Sequence, residues 1–226
     1  VVISAPAKGD PTESGVTGAT VLMGVNDEKL KTCQISSNAS CTTNATSPLI
    51  AVLKEAIGVE KAVLNTVHAY TSTQSLVDGP SKKDLRRGRA AALNIIPAST
   101  GAAQATTKAH TELDGKFDGI AIRVPVPVGS IVDVTFVAKK KTTVEEVNTA
   151  LRKAAVDPKW KNIFTATDEP IVSSDIIGSR VGSIADLGLT RVVDGDLVKV
   201  FAWYDNETSY TQTLVEHVSA VAKHLS

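Results

Sequence analysis

The feature that most constrains this chain is a cysteine placed where a predicted strand gives way to a predicted helix. Residues 31–36 form a short, partly apolar stretch, and in residues 45–58 apolar side chains recur at helical spacing before a final glycine. Cys41 lies between them, among serine, threonine and asparagine residues. Free amide groups and the dipole at a helix start stabilise a thiolate, the reactive form of cysteine. A cysteine among small residues is more often a buried apolar side chain, but these polar neighbours favour a nucleophile with a lowered pKa.

The composition of the 226 residues argues against several classes of protein. Lysine plus arginine (24) equals aspartate plus glutamate (24), so no excess charge favours nucleic acid or a membrane surface as a partner. Two cysteines are too few for a disulfide framework and fit a reducing compartment, which predicts a cytoplasmic protein. No apolar run reaches the length of a membrane span, and the N-terminus lacks a signal-peptide pattern. No metal site is predicted.

The order of the predicted elements favours an α+β fold. Strands are predicted at residues 1–5, 19–25, 32–36, 60–70, 119–128, 131–138, 163–167, 183–186 and 197–204, and helices at 45–58, 143–156 and 206–224. The polar stretch 8–20 is predicted as an exposed loop, and 71–96, with its basic cluster at 82–89, as a long ordered loop. Runs of strands with few helices indicate a mixed, largely antiparallel sheet flanked by helices.

Six motifs, in the same order along the chain, resemble those of the glyceraldehyde-3-phosphate dehydrogenase family. They are Ser-Asn-Ala-Ser-Cys-Thr-Thr-Asn (37–44), Thr-Val-His-Ala-Tyr-Thr (66–71), Asp-Leu-Arg-Arg-Gly-Arg-Ala-Ala (84–91), Ala-Ser-Thr-Gly-Ala-Ala (98–103), Arg-Val-Pro (123–125) and Trp-Tyr-Asp-Asn-Glu (203–207). Aspartate-semialdehyde dehydrogenase shares a catalytic cysteine but not this long set of motifs. Erythrose-4-phosphate dehydrogenase is nearer and stays open as an alternative.

The resemblance implies three regions of the chain. Residues 1–40 resemble the tail of an NAD-binding Rossmann domain, and 41–205 resemble the catalytic domain. Residues 206–226 resemble a C-terminal helix that packs back on the NAD-binding domain in the family. Because no Gly-x-Gly-x-x-Gly turn follows a strand, roughly the first third of the family's length is expected to be missing. The chain is therefore expected to be an incomplete piece of a longer protein.

The resemblance assigns the covalent chemistry to Cys41 and His68. A thiolate adds to an aldehyde to give an adduct that expels hydride and leaves a thioester activated toward phosphate. His68 is implied to pair with Cys41, to lower its pKa and to handle the proton of the adduct. His110, His217 and His224 match no catalytic motif and are interpreted as structural or solvent-exposed.

The resemblance also implies two anion-binding sites, because the substrate and the attacking phosphate are both negatively charged. The residues expected to hold the phosphate of the sugar are Thr71 and Arg123. Those expected at the inorganic-phosphate site are Ser40, Thr42, Thr100 and Gly101, with Arg87 nearby. Glycine at position 101 suits this role because it lets a backbone amide approach an anion closely.

Three further residues are implied to contact NAD. Asn206 is expected to hydrogen-bond the nicotinamide carboxamide, Tyr210 to lie near the same ring, and Ser4 to contact NAD from a strand end. Asn206 also fits a helix cap, and the two roles are compatible.

The implied function is the NAD-dependent, phosphorylating oxidation of glyceraldehyde 3-phosphate to 1,3-bisphosphoglycerate in glycolysis. The implied assembly is a homotetramer in which the long loop packs across a subunit interface. The alternative is a truncated fragment without the cofactor domain, which has no dehydrogenase activity and acts as a structural or interaction domain.

Overall fold

Two β-sheets organise the part of the chain described by this computed structural model, which is residues 1–7, 15–81 and 84–224. The strands are β1 (Val2–Ile3), β2 (Gly18–Thr20), β3 (Ile35–Ser37), β4 (Val59–Ala69), β5 (Ile96–Ser99), β6 (Phe117–Val124), β7 (Ser130–Ala138), β8 (Phe164–Thr167), β9 (Ser183–Asp186), β10 (Arg191–Val193) and β11 (Leu197–Tyr204). The α-helices are α1 (Cys41–Ala56), α2 (Ala102–Thr107), α3 (Val144–Ala155) and α4 (Thr208–Ala222).

The larger sheet has the strand order β5-β6-β4-β7-β11-β9-β8, with β10 paired to β11. The pairs β4–β6 and β8–β9 are parallel, and the other pairs are antiparallel. The predicted α+β fold with a mixed, largely antiparallel sheet is thereby confirmed. The longest strands lie at the centre of the sheet, and β4 ends beside the start of α1.

The hydrophobic core lies between one face of this sheet and helices α1 and α3. Successive side chains of a strand point to opposite faces, and β7 accordingly buries every second residue, among them Val132, Val134 and Phe136. Leu49 and Leu53 of α1 are fully buried against this layer. The long central strand and the first helix are therefore held rigidly by the same core.

The smaller sheet has the order β1-β3-β2, and both of its pairs are parallel. Helix α4 is tied to β3 by the buried His217, whose Nε2 lies 2.7 Å from Ser36 Oγ and whose Nδ1 lies 3.1 Å from Asn38 Oδ1. The last helix therefore fixes the segment that leads directly into α1.

The local predictions differ from the structure mainly at element ends. The predicted strand 19–25 is wrong beyond Thr20, because the Asn26 amide folds back to bond Leu22 N–H and the Thr20 carbonyl at 2.7 and 2.9 Å. The predicted strand 119–128 ends at Val124, directly before Pro125, and proline lacks the N–H that a strand ladder needs. The first helix begins at Cys41 rather than at residue 45.

Other sequence predictions missed an element or lie outside the described residues. Strand β5 and helix α2 were not predicted, because each is too short to show periodicity. Residues 8–14 of the predicted 8–20 loop, and positions 82 and 83 of the basic cluster, lie outside the described residues. Among the described helices, none combines the length and apolar character needed to cross a bilayer.

Candidate functional site

Cys41 is the first residue of α1, and Ser40 caps that helix. Ser40 Oγ accepts a hydrogen bond from the Thr43 backbone N–H at 3.2 Å, which satisfies one of the free amide groups at the helix start. Ala39, one residue earlier, has a φ of 55°, in the left-handed region that residues other than glycine seldom adopt. Its carbonyl accepts a hydrogen bond from the Tyr210 hydroxyl at 3.2 Å. A strained and well-anchored turn therefore positions the thiol.

His68 lies one residue before the end of β4, and its imidazole reaches the thiol. The distance from Cys41 Sγ to His68 Nε2 is 3.4 Å. His68 Nδ1 lies 2.6 Å from the Ala69 carbonyl, which can only accept a hydrogen bond. His68 Nδ1 also lies 2.5 Å from Arg123 Nη1, which can only donate, so this nitrogen stands between one acceptor and one donor, while Nε2 is the ring nitrogen that faces the thiol. Arg123, paired with His68 in the β4–β6 register, donates to the same carbonyl at 3.1 Å.

The electrostatics of the cysteine–histidine pair differ from the sequence-based prediction. Burial raises the pKa of the Cys41 thiol, and it outweighs hydrogen bonding with Thr42 and the attraction of Arg123. Burial, followed by the charge of Arg123, lowers the pKa of His68 to about 4. The predicted lowering of the Cys41 pKa is therefore wrong for this structure, because loss of water disfavours both charged forms. The pair rests as a neutral thiol and a neutral imidazole, with His68 placed to take the proton as the thiol reacts.

Tyr204, for which the sequence predicted no role, supports the reacting pair. Its hydroxyl lies 2.9 Å from Thr42 Oγ1 and 2.8 Å from Thr66 Oγ1. Its ring packs edge-on to the His68 ring, with the centroids 5.8 Å apart. Burial raises the pKa of Tyr204 beyond the range in which it could ionise near neutral pH. Tyr204 could have been identified from its place inside the 203–207 motif. It lies at the end of a strand in which every second residue is buried.

The predicted anion-binding residue Arg123 is half-buried beside the thiol and the imidazole. Its Nε is buried without a hydrogen-bond partner, and no carboxylate pairs with it among the described residues. Burial lowers its pKa, and the nearby positive charge of Arg87 acts in the same direction, while Tyr204 and Cys41 oppose it. Arg87 itself bonds the Ser99 carbonyl at 3.3 Å. Two guanidinium groups that lie near each other fit a site for an anion.

The other predicted phosphate ligands are distributed around this centre. Thr100 Oγ1 accepts from the Ala102 N–H at 3.1 Å, directly after the Ser99 that Arg87 contacts. Gly101, the cap of α2, has an ordinary φ of −93°, and nothing lies within 4 Å of the position of a Cβ. Its backbone is therefore open to a ligand, although its conformation does not require glycine.

Two predicted phosphate ligands use their hydroxyls within the protein. Thr42 is buried, and its hydroxyl is engaged with Tyr204 as described above. Thr71 lies just beyond β4, where its hydroxyl contacts Thr73 Oγ1 at 2.9 Å and Gln74 Oε1 at 3.3 Å. Hydrogen bonding with Thr42 acts on the Cys41 thiol, whereas Thr71 has no hydrogen bond to Cys41 or His68 among the described residues.

The predicted cofactor residues connect to both sides of the centre. Ser4 Oγ lies 3.1 Å from the Tyr210 hydroxyl, which in turn bonds the Ala39 carbonyl before α1. Asn206 Oδ1 accepts from the Gly129 N–H at 3.1 Å, and Ser130 Oγ lies at the same distance from that oxygen. No acceptor within the described residues holds Asn206 Nδ2, so this donor group fits a ligand carbonyl.

Three histidines lie outside the centre. His110 and His217 are buried and hydrogen-bonded, whereas His224 is exposed at the end of α4. All three fit the structural or exposed role predicted for them.

Comparison with known proteins agrees with the motif pattern. Residues 40–206 match the family model described as glyceraldehyde 3-phosphate dehydrogenase, C-terminal domain. The chain belongs to the glyceraldehyde-3-phosphate dehydrogenase family. The family predicted from the six motifs is therefore confirmed.

The chain is similar over its whole length to curated glyceraldehyde-3-phosphate dehydrogenases. It is 50% identical to that of Mycobacterium tuberculosis (strain H37Rv) over 226 residues, which are 100% of this chain and 64% of the relative. It is 48% identical to that of Clostridium acetobutylicum over 228 residues, which cover 99% of this chain and 65% of the relative. The chain thus spans just under two thirds of the length of these glyceraldehyde-3-phosphate dehydrogenases.

Proposed function

We propose that this chain carries the catalytic centre for the NAD-dependent, phosphorylating oxidation of glyceraldehyde 3-phosphate to 1,3-bisphosphoglycerate. The observation that carries the proposal is the 3.4 Å contact between Cys41 Sγ and His68 Nε2, directly beside an Arg123 guanidinium that none of the described carboxylates neutralises. A nucleophile, a base and a charged anion site are the groups that this reaction requires. The family membership supports the same conclusion.

The first step is addition of the thiol to the aldehyde. The Cys41 sulfur forms a bond to the carbonyl carbon, His68 Nε2 accepts the thiol proton, and that proton then passes to the former carbonyl oxygen. Because the pKa of His68 is lowered to about 4, the imidazole gives up the proton readily. The product is a hemithioacetal with no net change in charge. Arg123 and Thr71 would hold the phosphate of the sugar during this step.

The second step converts the hemithioacetal to a thioester. His68 takes the hydroxyl proton as the carbonyl forms again, and the carbon loses hydride. Bound NAD would supply the oxidising chemistry as the acceptor of that hydride. Tyr210 and Asn206 would lie at the nicotinamide end, and Ser4 would contact NAD from a strand end. The Asn206 Nδ2, to which the described residues offer no acceptor, supports this fit.

The third step transfers the acyl group to phosphate. A phosphate oxygen adds to the thioester carbonyl, the carbon–sulfur bond breaks, and the departing Cys41 thiolate takes the proton held on His68. Arg87, Ser40, Thr42, Thr100 and Gly101 are proposed as the site for the incoming phosphate. For Thr42 this role would fall to the backbone, since its hydroxyl is engaged with Tyr204.

The proposal extends to the assembly and location of the protein. Four apolar side chains of the 71–96 loop are 71–82% exposed: Leu76, Val77, Leu85 and Leu93. A cluster of exposed apolar residues on one loop favours burial against another subunit, and we propose a homotetramer.

Residues 1–40 are proposed as part of an NAD-binding domain, 41–205 as the catalytic domain and 206–226 as a helix that packs on the former. The two free cysteines fit a cytoplasmic location.

The test is turnover by the purified protein with glyceraldehyde 3-phosphate, phosphate and NAD, followed by NADH absorbance. Cys41→Ser is expected to abolish oxidation, and His68→Asn to slow it by about a hundredfold or more. The matched control Cys33→Ser is expected to keep the wild-type rate. Full activity of Cys41→Ser would contradict the nucleophile assignment.

Two comparisons separate the alternatives. A higher kcat/KM for erythrose 4-phosphate than for glyceraldehyde 3-phosphate would replace the proposed substrate. Calorimetry that detects no NAD binding to the wild-type protein would contradict the dehydrogenase proposal and favour a fragment without cofactor function.

A further inference from the structure

The Asn206 amide is held along one edge by two hydrogen-bond donors. The antiparallel pairing of β7 with β11 places Ser130 opposite Tyr204, so that Asn206, two residues further on, lies over Gly129. The Gly129 backbone N–H, which can only donate, lies 3.1 Å from the Asn206 side chain. The amide atom that faces Gly129 is therefore the oxygen, and the NH₂ group must point the other way.

Ser130 supplies the second donor to the same oxygen. The Ser130 side chain is 2% exposed, and its Oγ accepts a hydrogen bond from the Ala69 N–H at 3.1 Å. A serine hydroxyl has one proton to donate, and Asn206 Oδ1 lies 3.1 Å from it. The proton of Ser130 is thereby committed to Asn206.

The backbone is closely packed around this contact. Gly129 has a φ of 97°, and a Cβ built on it would lie 2.7 Å from the Ser173 carbonyl oxygen. Glycine is therefore the residue that fits at position 129, where its N–H meets the Asn206 oxygen. Ala69, the other partner of Ser130, carries the carbonyl that holds His68 Nδ1. Ser130 therefore links the imidazole side of the site to the Asn206 side through two hydrogen bonds.

From this arrangement we infer that Ser130 is a positioning residue that makes Asn206 an obligate hydrogen-bond donor toward the nicotinamide carboxamide of the cofactor. Both acceptor positions of Oδ1 are filled, and the described residues offer no acceptor to Nδ2, so the amide presents only N–H groups to a ligand. The inference rests on the proposed use of NAD. Ser130 touches neither substrate nor cofactor. Its role is to determine which functional group of the cofactor Asn206 can bind.

The experiment compares NAD with ADP-ribose, which lacks the nicotinamide, by calorimetry on the wild-type protein, Ser130→Ala, Ser130→Thr, Asn206→Ala and the Ser130→Ala/Asn206→Ala double variant. Ser130→Ala is expected to weaken NAD about tenfold, as for the loss of one oriented hydrogen bond. ADP-ribose affinity is expected to stay unchanged. Ser130→Thr, which keeps the hydroxyl, is expected to restore NAD affinity, and the double variant to be no weaker than Asn206→Ala.

Equal losses of NAD and ADP-ribose affinity in Ser130→Ala would overturn the inference, as would losses that add in the double variant. A wild-type protein that binds neither ligand would contradict the proposed function instead. In that case the side-chain amide resonances of Asn206 in the ligand-free protein test the inference independently of ligand binding. Resonances that shift in Ser130→Ala but not in the control Ser173→Ala would support it, and resonances unchanged in both would overturn it.

Discussion

A buried histidine that does not belong to the reacting pair makes the stability of this protein depend on pH in a calculable way. His110 is 1% exposed, and its Nε2 lies 3.1 Å from both the hydroxyl and the carbonyl of Ser47. Its Nδ1 lies 3.3 Å from Lys54 Nζ, which also pairs with Glu112 at 2.6 Å. Burial, and then the charge of Lys54, lowers the pKa of His110 to about 4. The ring is therefore neutral in the folded protein at pH 7.

The sign of the pH effect follows from the two pKa values of His110. An unfolded histidine has a pKa near 6.5, so between about 6.5 and 4 the unfolded chain binds a proton that the folded protein does not. The contribution of His110 to the free energy of unfolding is therefore fully present above about pH 6.5, and it is lost as the pH falls toward 4. The complete shift corresponds to roughly 3 kcal/mol, of which about 2 kcal/mol is lost between pH 7 and pH 5.

The assay is urea unfolding at pH 7, 6 and 5 for the wild type, His110→Gln and the control His224→Gln, which alters an exposed side chain. The wild type and the control are expected to lose about 2 kcal/mol more unfolding free energy between pH 7 and 5 than His110→Gln. His68 and His217, whose pKa values are also lowered by burial, remain in all three proteins, and their contributions cancel. The same pH dependence in His110→Gln and the wild type would refute the reasoning.

Three other outcomes test the site and the fold. Alkylation of Cys41 by iodoacetamide, followed by peptide mass spectrometry with Cys33 as internal reference, is expected to keep accelerating above pH 9, since burial raises the pKa of Cys41; a plateau near pH 6 would show a preformed thiolate. Tyr204→Phe leaves two threonine hydroxyls without their partner, so we expect a loss of about 1–3 kcal/mol in urea unfolding and a lower turnover; a variant equal to wild type in both would remove Tyr204 from the site. Gly119→Ala would place a Cβ 2.5 Å from a β4 carbonyl oxygen and is expected to lower the melting temperature far more than Gly101→Ala, which meets open space; equal melting temperatures would contradict the close approach of β4 and β6.

Periodicity in the sequence is sufficient to predict the core of the fold. The alternation along 131–138 predicts β7 almost to the residue, and the acidic first turn after Thr143 predicts the start of α3, where Thr143 and Glu146 form a reciprocal cap. The glycine expected to stop the first helix has a φ of 84°, a conformation that glycine adopts easily at a helix end. These features depend on neighbours in the sequence, and they can therefore be predicted from it.

The parts that the sequence did not predict depend on contacts distant in the chain. Strand β5 exists because Ile96–Ser99 pairs with β6, and its Pro97 is tolerated at the edge of the sheet. The pKa of Cys41 depends on how much water the folded chain removes, which no local motif encodes. Ser130 and Tyr204 have their roles only because β7 and β11 lie side by side.

The contact between His217 and the Ser36–Asn38 segment spans about 180 residues of chain. During synthesis on a ribosome, the segment that leads into the nucleophilic cysteine stays without its partner until α4 has emerged. A nascent chain halted before α4 therefore leaves the thiol on an unsupported turn, and we expect the thiol to become reactive only after α4 has been synthesised and packed.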